Sequence, residues 1–170
     1  MDANAETAFK QWAEGALAPL VRFGFALTHD EGAAEDLVES ALVRALLAWP
    51  EVAANEDPGH YARRMMVNEL AHAWRAPRAP SEATDAPPQI PSSELAPEDA
   101  DLVERDRVWR ERVDLPPRPR SVLVLRCYEA RSEHEVAAIL GCPVEIVRSE
   151  SHAAIAALRA REIVDRRVLR

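Results

Sequence analysis

The chain has 170 residues, 48% of them hydrophobic but only 5% aromatic, with 5 glycines and a formal net charge of −8. That length allows one domain or two small ones, and so much Ala, Leu, Val and Arg with so little Gly points to helices. No run approaches the roughly 18 apolar residues of a membrane span, and Cys127 and Cys142 fit neither a disulfide framework nor a metal-ligand pair.

The N-terminus carries acidic residues early and lacks a basic flank before an apolar core, so no signal peptide is expected. Two small half-buried thiols suit a reducing cytoplasm. Ala5 to Trp12 predicts a short first helix, and Leu17 to Thr28 a second, apolar on more than one side through Leu17, Leu20, Val21, Phe23, Phe25 and Leu27. Thr28 to Gly32 breaks the pattern. A third helix, Ala33 to Trp49, has a regular stripe of Leu37, Val38, Ala41, Leu42, Ala45, Leu46 and Trp49, with Glu35, Asp36 and Glu39 near its positive end. Pro50 stops it, Glu51 to Asp57 forms a loop, and Pro58 opens a helix to about Trp74 or Arg75. On that helix Tyr61, Met65 and Leu70 face inward. Arg63, Arg64, Asn68, His72 and Arg75 offer polar groups whose plain alternative is a solvated face.

From Ala76 to Leu102 prolines fall among Ser, Ala and acids with hardly any aliphatic residues, the composition of a flexible acidic linker. Val103 to Val113 predicts a helix with Val108, Trp109 and Val113 inward. Arg120 to Glu129 predicts another; its run Val122 to Leu125 suits a strand equally, and the helical neighbours decide for helix. Ser132 with Glu135 forms a capping box, Val136, Ile139 and Leu140 an apolar stripe, and Gly141 a left-handed stop. Pro143 suits the first turn of a last helix. One face of that helix carries Val144, Val147, Ile155 and Leu158, and the other Glu145, Ile146, Arg148, Ser149, His152 and Arg159. This is the helix-turn-helix pattern, although a plain helical hairpin gives a similar one. The expected architecture is all-α, with two small helical domains (5–75 and 103–170) joined by the linker (76–102).

Charge is uneven along the chain. Residues 1–75 carry 6 basic and 12 acidic groups, 76–102 carry 1 and 6, and 103–170 carry 14 and 11. Only the part with the helix-turn-helix is basic, and weakly so.

This order of parts resembles the extracytoplasmic-function sigma factors of bacteria, the group IV of the sigma-70 family, especially the small actinobacterial kind. Ala34-Glu-Asp-Leu-Val-Glu39 is similar to the family's docking run for core RNA polymerase. The resemblance implies that Asp36, Leu37, Val38 and Glu39 meet the β′ clamp helices. Tyr61-Ala-Arg-Arg-Met-Met-Val-Asn68 with Trp74-Arg75 is similar to the segment that melts and reads the minus-ten element. Tyr61 and Trp74 would stack on bases, with Tyr61 as core the alternative, while Arg63, Arg64 and Arg75 would hold phosphates. Asn68 and, in the loop that captures an unstacked base, Asn55 complete that set. Leu115-Pro-Pro-Arg118 with Ser132 to Leu158 is similar to sigma domain four, which also meets the polymerase β flap. Glu145, Ile146, Arg148, Ser149 and His152 would then face the minus-thirty-five element, with Arg148 on guanine or phosphate and Ile146 on a thymine methyl.

The chain departs from the family pattern in places. Glu145 and Glu150 put carboxylates where phosphates approach, Ala153 replaces a basic residue, Glu39 a glutamine, and Pro119 a glutamine or glutamate. Like charge near DNA opposes binding, so free-DNA affinity is expected to be poor, with polymerase tethering supplying most of it. The expected function is promoter-specific transcription initiation, without catalytic residues or cofactor and under an anti-sigma factor. The alternative is a decoy that binds the anti-sigma factor without reading DNA.

Overall fold

The computed structural model describes residues 3–75 and 115–160, with side chains over 4–75 and 115–157. The linker, the helix expected at Val103 to Val113 and the side chains of Leu158 and Arg159 lie outside the described residues. Within them the chain is helical, with no strand. The helices are α1 (Ala3–Thr28), α2 (Glu31–Leu47), α3 (Trp49–Asn55), α4 (Pro58–Arg75), α5 (Pro117–Leu123) running into a π-helical turn (Val124–Tyr128), α6 (Glu133–Leu140) and α7 (Val144–Ala160). None is long and apolar enough to cross a membrane.

The two helices expected at the start are one. Gly15 weakens a helix interior by only about 1 kcal/mol, and Pro19 is accommodated inside α1. Tertiary packing outweighs both. Phe9 and Trp12 each lie 5.3 Å, ring to ring, from Trp49, which anchors the first half of α1 to α3. Leu20, Phe23 and Leu27 bury the second half. The break after Thr28 is made by His29, whose φ is 56°, and Asp30 then caps α2 by accepting from the Ala33 N–H at 2.7 Å. Gly32 is already helical.

The expected loop Glu51 to Asp57 is mostly helix. Pro50 sits in the first turn of α3, where its missing N–H is harmless, so it starts a helix as well as ending one. Val52 and Trp49 are buried, and only Glu56 and Asp57 separate α3 from α4. On α4 the buried face is Ala62, Arg63, Met66 and Val67, while Tyr61, Met65 and Leu70 are half-buried. The inward face is thus rotated by about one residue from the expected one.

In the second half, Val122 to Leu125 are all buried and helical, as their neighbours implied. The capping box at the start of α6 is complete: the Glu135 N–H donates to Ser132 Oγ at 3.2 Å, and the Ser132 N–H donates to Glu135 Oε2 at 2.8 Å. Gly141 ends α6 at φ 62°, as the sequence requires. Hydrogen bonds from Ser132 and the nearby Arg131 guanidinium pull the Glu135 carboxyl from 4.5 down to about 2. The carboxylate's stabilisation is therefore full above about pH 4.5 and is lost as pH falls towards 2. Ser132→Ala is expected to lower stability at pH 7 by about 1 kcal/mol and to flatten the stability curve over that acidic window. Urea unfolding across pH checks both.

α1, α2 and α4 pack together, as do α5, α6 and α7, and α4 also lies against α5 and α6. The two helical groups, expected to hang on the tether with no set geometry, share one continuous core that runs from Leu20 and Phe23 to Val136 and Val147.

Candidate nucleic-acid interface

The outer face of α2 separates cleanly from its inner one. Ala34, Leu37, Val38, Ala41 and Ala45 are buried against α1 and α4. Leu37 and Val38, expected at a partner surface, are therefore core residues at 6% and 3% exposure. Asp36 and Glu39 are exposed as expected. They continue into Val43 and Leu47, exposed at 49% and 80%. At 100° per residue, positions 36, 43 and 47 fall within about 40° of one another. Acids beside two bare aliphatics form the edge that suits a basic, partly apolar coiled coil. Val43 and Leu47 lie beyond the run Ala34 to Glu39, yet their helical spacing from Asp36 is legible in the sequence.

The residues expected to read a single strand are divided. Asn68 and Arg75 are exposed on α4, with Arg75 Nε donating to Ala71 O. Trp74 is 41% exposed, and the Arg120 guanidinium lies 5.5 Å from its ring. Asn55 is exposed at the end of α3, its amide donating to Glu51 O, and so it stands on a helix and not in a long loop. Tyr61 is half-buried beneath the Arg64 guanidinium at 5.4 Å. Arg64 also pairs with Glu56 at 2.8 Å.

Arg63 is the clear departure. Expected as a solvent-facing phosphate partner, it is 7% exposed. Its Nε and Nη2 donate to the Glu129 carboxylate at 2.9–3.0 Å, and Nη1 donates to Gly59 O at 3.2 Å. A guanidinium fork with a carboxylate of its own is a poor phosphate clamp until that carboxylate leaves.

On α7 the expected face is open. Glu145, Ile146, Arg148, Ser149 and His152 are all exposed, while Val147 and Ala154 on the opposite side are buried. Arg148 is not idle: its Nε donates to Glu133 Oε2 at 2.6 Å. That hydrogen bond lowers the Glu133 carboxyl and raises the Arg148 guanidinium from their ordinary values. Glu150, expected to repel phosphates, is half-buried and paired with Arg118 at 2.9 Å. Of the two carboxylates, Glu145 alone is exposed on this face.

A family model described as Sigma-70 region 2 matches residues 14–79, and one described as Sigma-70, region 4 matches residues 113–160. The RNA polymerase sigma-E factor of Streptomyces coelicolor is 34% identical over 140 residues, covering 82% of this chain and 77% of its own. That of Streptomyces avermitilis is also 34% identical over 140 residues, covering 82% and 76%. The ECF RNA polymerase sigma factor ShbA of Streptomyces griseus is 29% identical over 136 residues, covering 74% and 70%. With region two on α1 to α4 and region four on α5 to α7, the chain belongs to the sigma-70 family, as an extracytoplasmic-function sigma factor that binds core RNA polymerase and promoter DNA to direct transcription initiation.

Proposed function

We propose that the outer face of α2, through Asp36, Glu39, Val43 and Leu47, docks on the β′ clamp helices of core polymerase. Asn55, Asn68, Trp74 and Arg75 then hold the melted minus-ten strand, joined by Tyr61, Arg63 and Arg64 once these are released from their present partners. α7 enters the major groove at the minus-thirty-five element, led by Arg148 with Ile146, Ser149 and His152 beside it and Glu145 limiting the approach to phosphate. Region four also touches the β flap. The protein works in the cytoplasm, performs no covalent chemistry and is held in check by an anti-sigma factor. Its working divisions are 5–75 for docking and the minus-ten element and 103–170 for the minus-thirty-five element, with 76–102 as the tether.

The observation that carries this reading is the sidedness of α7, whose polar face is open while Val147 and Ala154 fill the core behind it. A decoy that keeps the partner surfaces without reading DNA has no observation in its favour. Run-off transcription with purified core polymerase on a promoter library tests the proposal. Specific transcripts are expected from the wild-type protein, and their absence would refute it. Arg148→Ala is expected to weaken use of the upstream element by about 5- to 150-fold, the 1–3 kcal/mol of a good base contact. Core binding measured in parallel should be unchanged.

A further inference from the structure

We infer that Glu133 is a positioning residue for base reading, holding the Arg148 guanidinium so that it meets the edge of a guanine in duplex DNA in preference to a phosphate. The inference rests on α7 reading the minus-thirty-five element. Glu133 opens α6, and Arg148 stands 15 residues on, in the second turn of α7. Arg148 Nε donates to Glu133 Oε2 at 2.6 Å, and among the described residues nothing else takes a hydrogen bond from this guanidinium. The carboxylate thus occupies Nε and leaves Nη1 and Nη2 as a pair of donors, the set that guanine O6 and N7 can accept from. Glu133 is itself steadied from behind. Arg126 Nη2 stands 4.0 Å from its other oxygen, Oε1, and Arg126 Nη1 donates to Arg131 O at 2.7 Å.

The pair is too wet to matter much for folding. Its side chains are 54% and 29% exposed, and ion pairs in contact with water contribute little stability. Its effect falls instead on what Arg148 binds. An unheld arginine on a helix surface turns to whichever anion is nearest, and the backbone phosphates carry no sequence information. A guanidinium paired with a carboxylate has its charge largely offset, which weakens its pull on phosphate. Guanine is neutral, so Glu133 does not repel it, and its two acceptors suit a fork whose ordering cost is already met. Glu133 therefore lowers affinity for any DNA while raising the share of binding that depends on sequence.

The test uses the full chain bound to core polymerase, on a promoter library randomised across the upstream element. Occupancy sorted by base gives the guanine preference at each position, and the position where Arg148→Ala removes it is the one that Arg148 reads. There Glu133→Gln is expected to lower the preference about 5-fold, the smaller end of what a bidentate guanine contact discriminates. The free full chain should meanwhile bind a random-sequence duplex about 3-fold more tightly, as an acidic group leaves and Arg148 turns to phosphate. Glu133→Asp keeps the charge but falls one methylene short of Arg148, so it should lose guanine preference without that gain. Ser132 and Glu135, not Glu133, form the capping box of α6, so both variants should keep the wild-type circular dichroism. If the glutamine variant unfolds, the aspartate variant carries the base readout. A folded Glu133 variant whose guanine preference matches wild type would overturn the inference. So would a glutamine variant that gains as much on guanine-bearing sites as on the rest, since Glu133 would then merely compete with DNA. If Arg148→Ala leaves every preference unchanged, the reading of α7 fails and takes the inference with it, a result distinct from a failure at Glu133 alone.

Discussion

Exchanging Asp36 for Arg and Leu47 for Glu together is expected to weaken capture by core RNA polymerase at least ~100-fold while leaving the melting temperature unchanged. Leu47 is 80% exposed and Val43 49%, so nothing within the described fold depends on burying them. An aliphatic anchor at the centre of an interface is worth on the order of 1–2 kcal/mol or more, and replacing it by a carboxylate adds the cost of an unpaired charge. Reversing Asp36 against a basic partner adds a like-charge repulsion, and about 2.7 kcal/mol in total is a 100-fold change. Leu37→Ala should behave in the opposite way. That side chain is 6% exposed in the core, and truncation there costs about 2–5 kcal/mol of folding stability. The Leu37 variant should unfold readily yet dock normally while folded. Co-purification with core polymerase and thermal unfolding, run on both variants, separate the two faces of α2. Undiminished capture of the Asp36/Leu47 variant would refute the docking assignment.

What was legible in the sequence, and what was not, divides by distance along the chain. The capping box at Ser132 and the left-handed Gly141 were readable because each is settled within four residues. Helical structure over Val122 to Leu125 was readable from its neighbours. The inward face of α2 was readable from its stripe, of which Leu37, Val38, Ala41 and Ala45 are buried. That burial conflicts with the partner surface the family resemblance implies for Leu37 and Val38, because one side chain cannot fill the core and meet a partner at once. The join between the two expected N-terminal helices was hidden because the aromatic partner of Phe9 and Trp12 is Trp49, far along the chain. The burial of two arginines was least readable of all. An arginine looks solvent-facing until its acceptors are known, and Glu129 for Arg63 and Leu27 for Arg120 lie 66 and 93 residues away. The polar side of α7 is exposed as its spacing implied, whereas the half-buried place of Glu150 was hidden because its partner Arg118 belongs to another helix.

Arg120→Ala is expected to be among the most destabilising substitutions on the surface between the two halves, by about 3 kcal/mol, with Arg120→Lys intermediate. The guanidinium is 6% exposed and donates to two carbonyls: Leu115 O, at 2.7 Å from Nη2 and 3.2 Å from Nε, and Leu27 O, at 2.9 Å from Nη1. Leu27 lies in the last turn of α1, where carbonyls have no partner within the helix and the dipole favours a cation. Arg120 thus caps a helix of region two from within region four, while tying α5 to Leu115, two residues before its start. A hydrogen bond from a charged donor contributes about 1.5–3 kcal/mol, and a buried acceptor left bare loses its solvation as well. Alanine removes all three contacts and the stem that fills the seam. Lysine keeps the charge and stem but, with one nitrogen, cannot span two carbonyls at once. Urea midpoints for the three proteins should therefore fall in the order Arg, Lys, Ala. A change under about 0.5 kcal/mol for the alanine variant would mean that the cap on α1 is replaced by water and that the seam is not held by this residue.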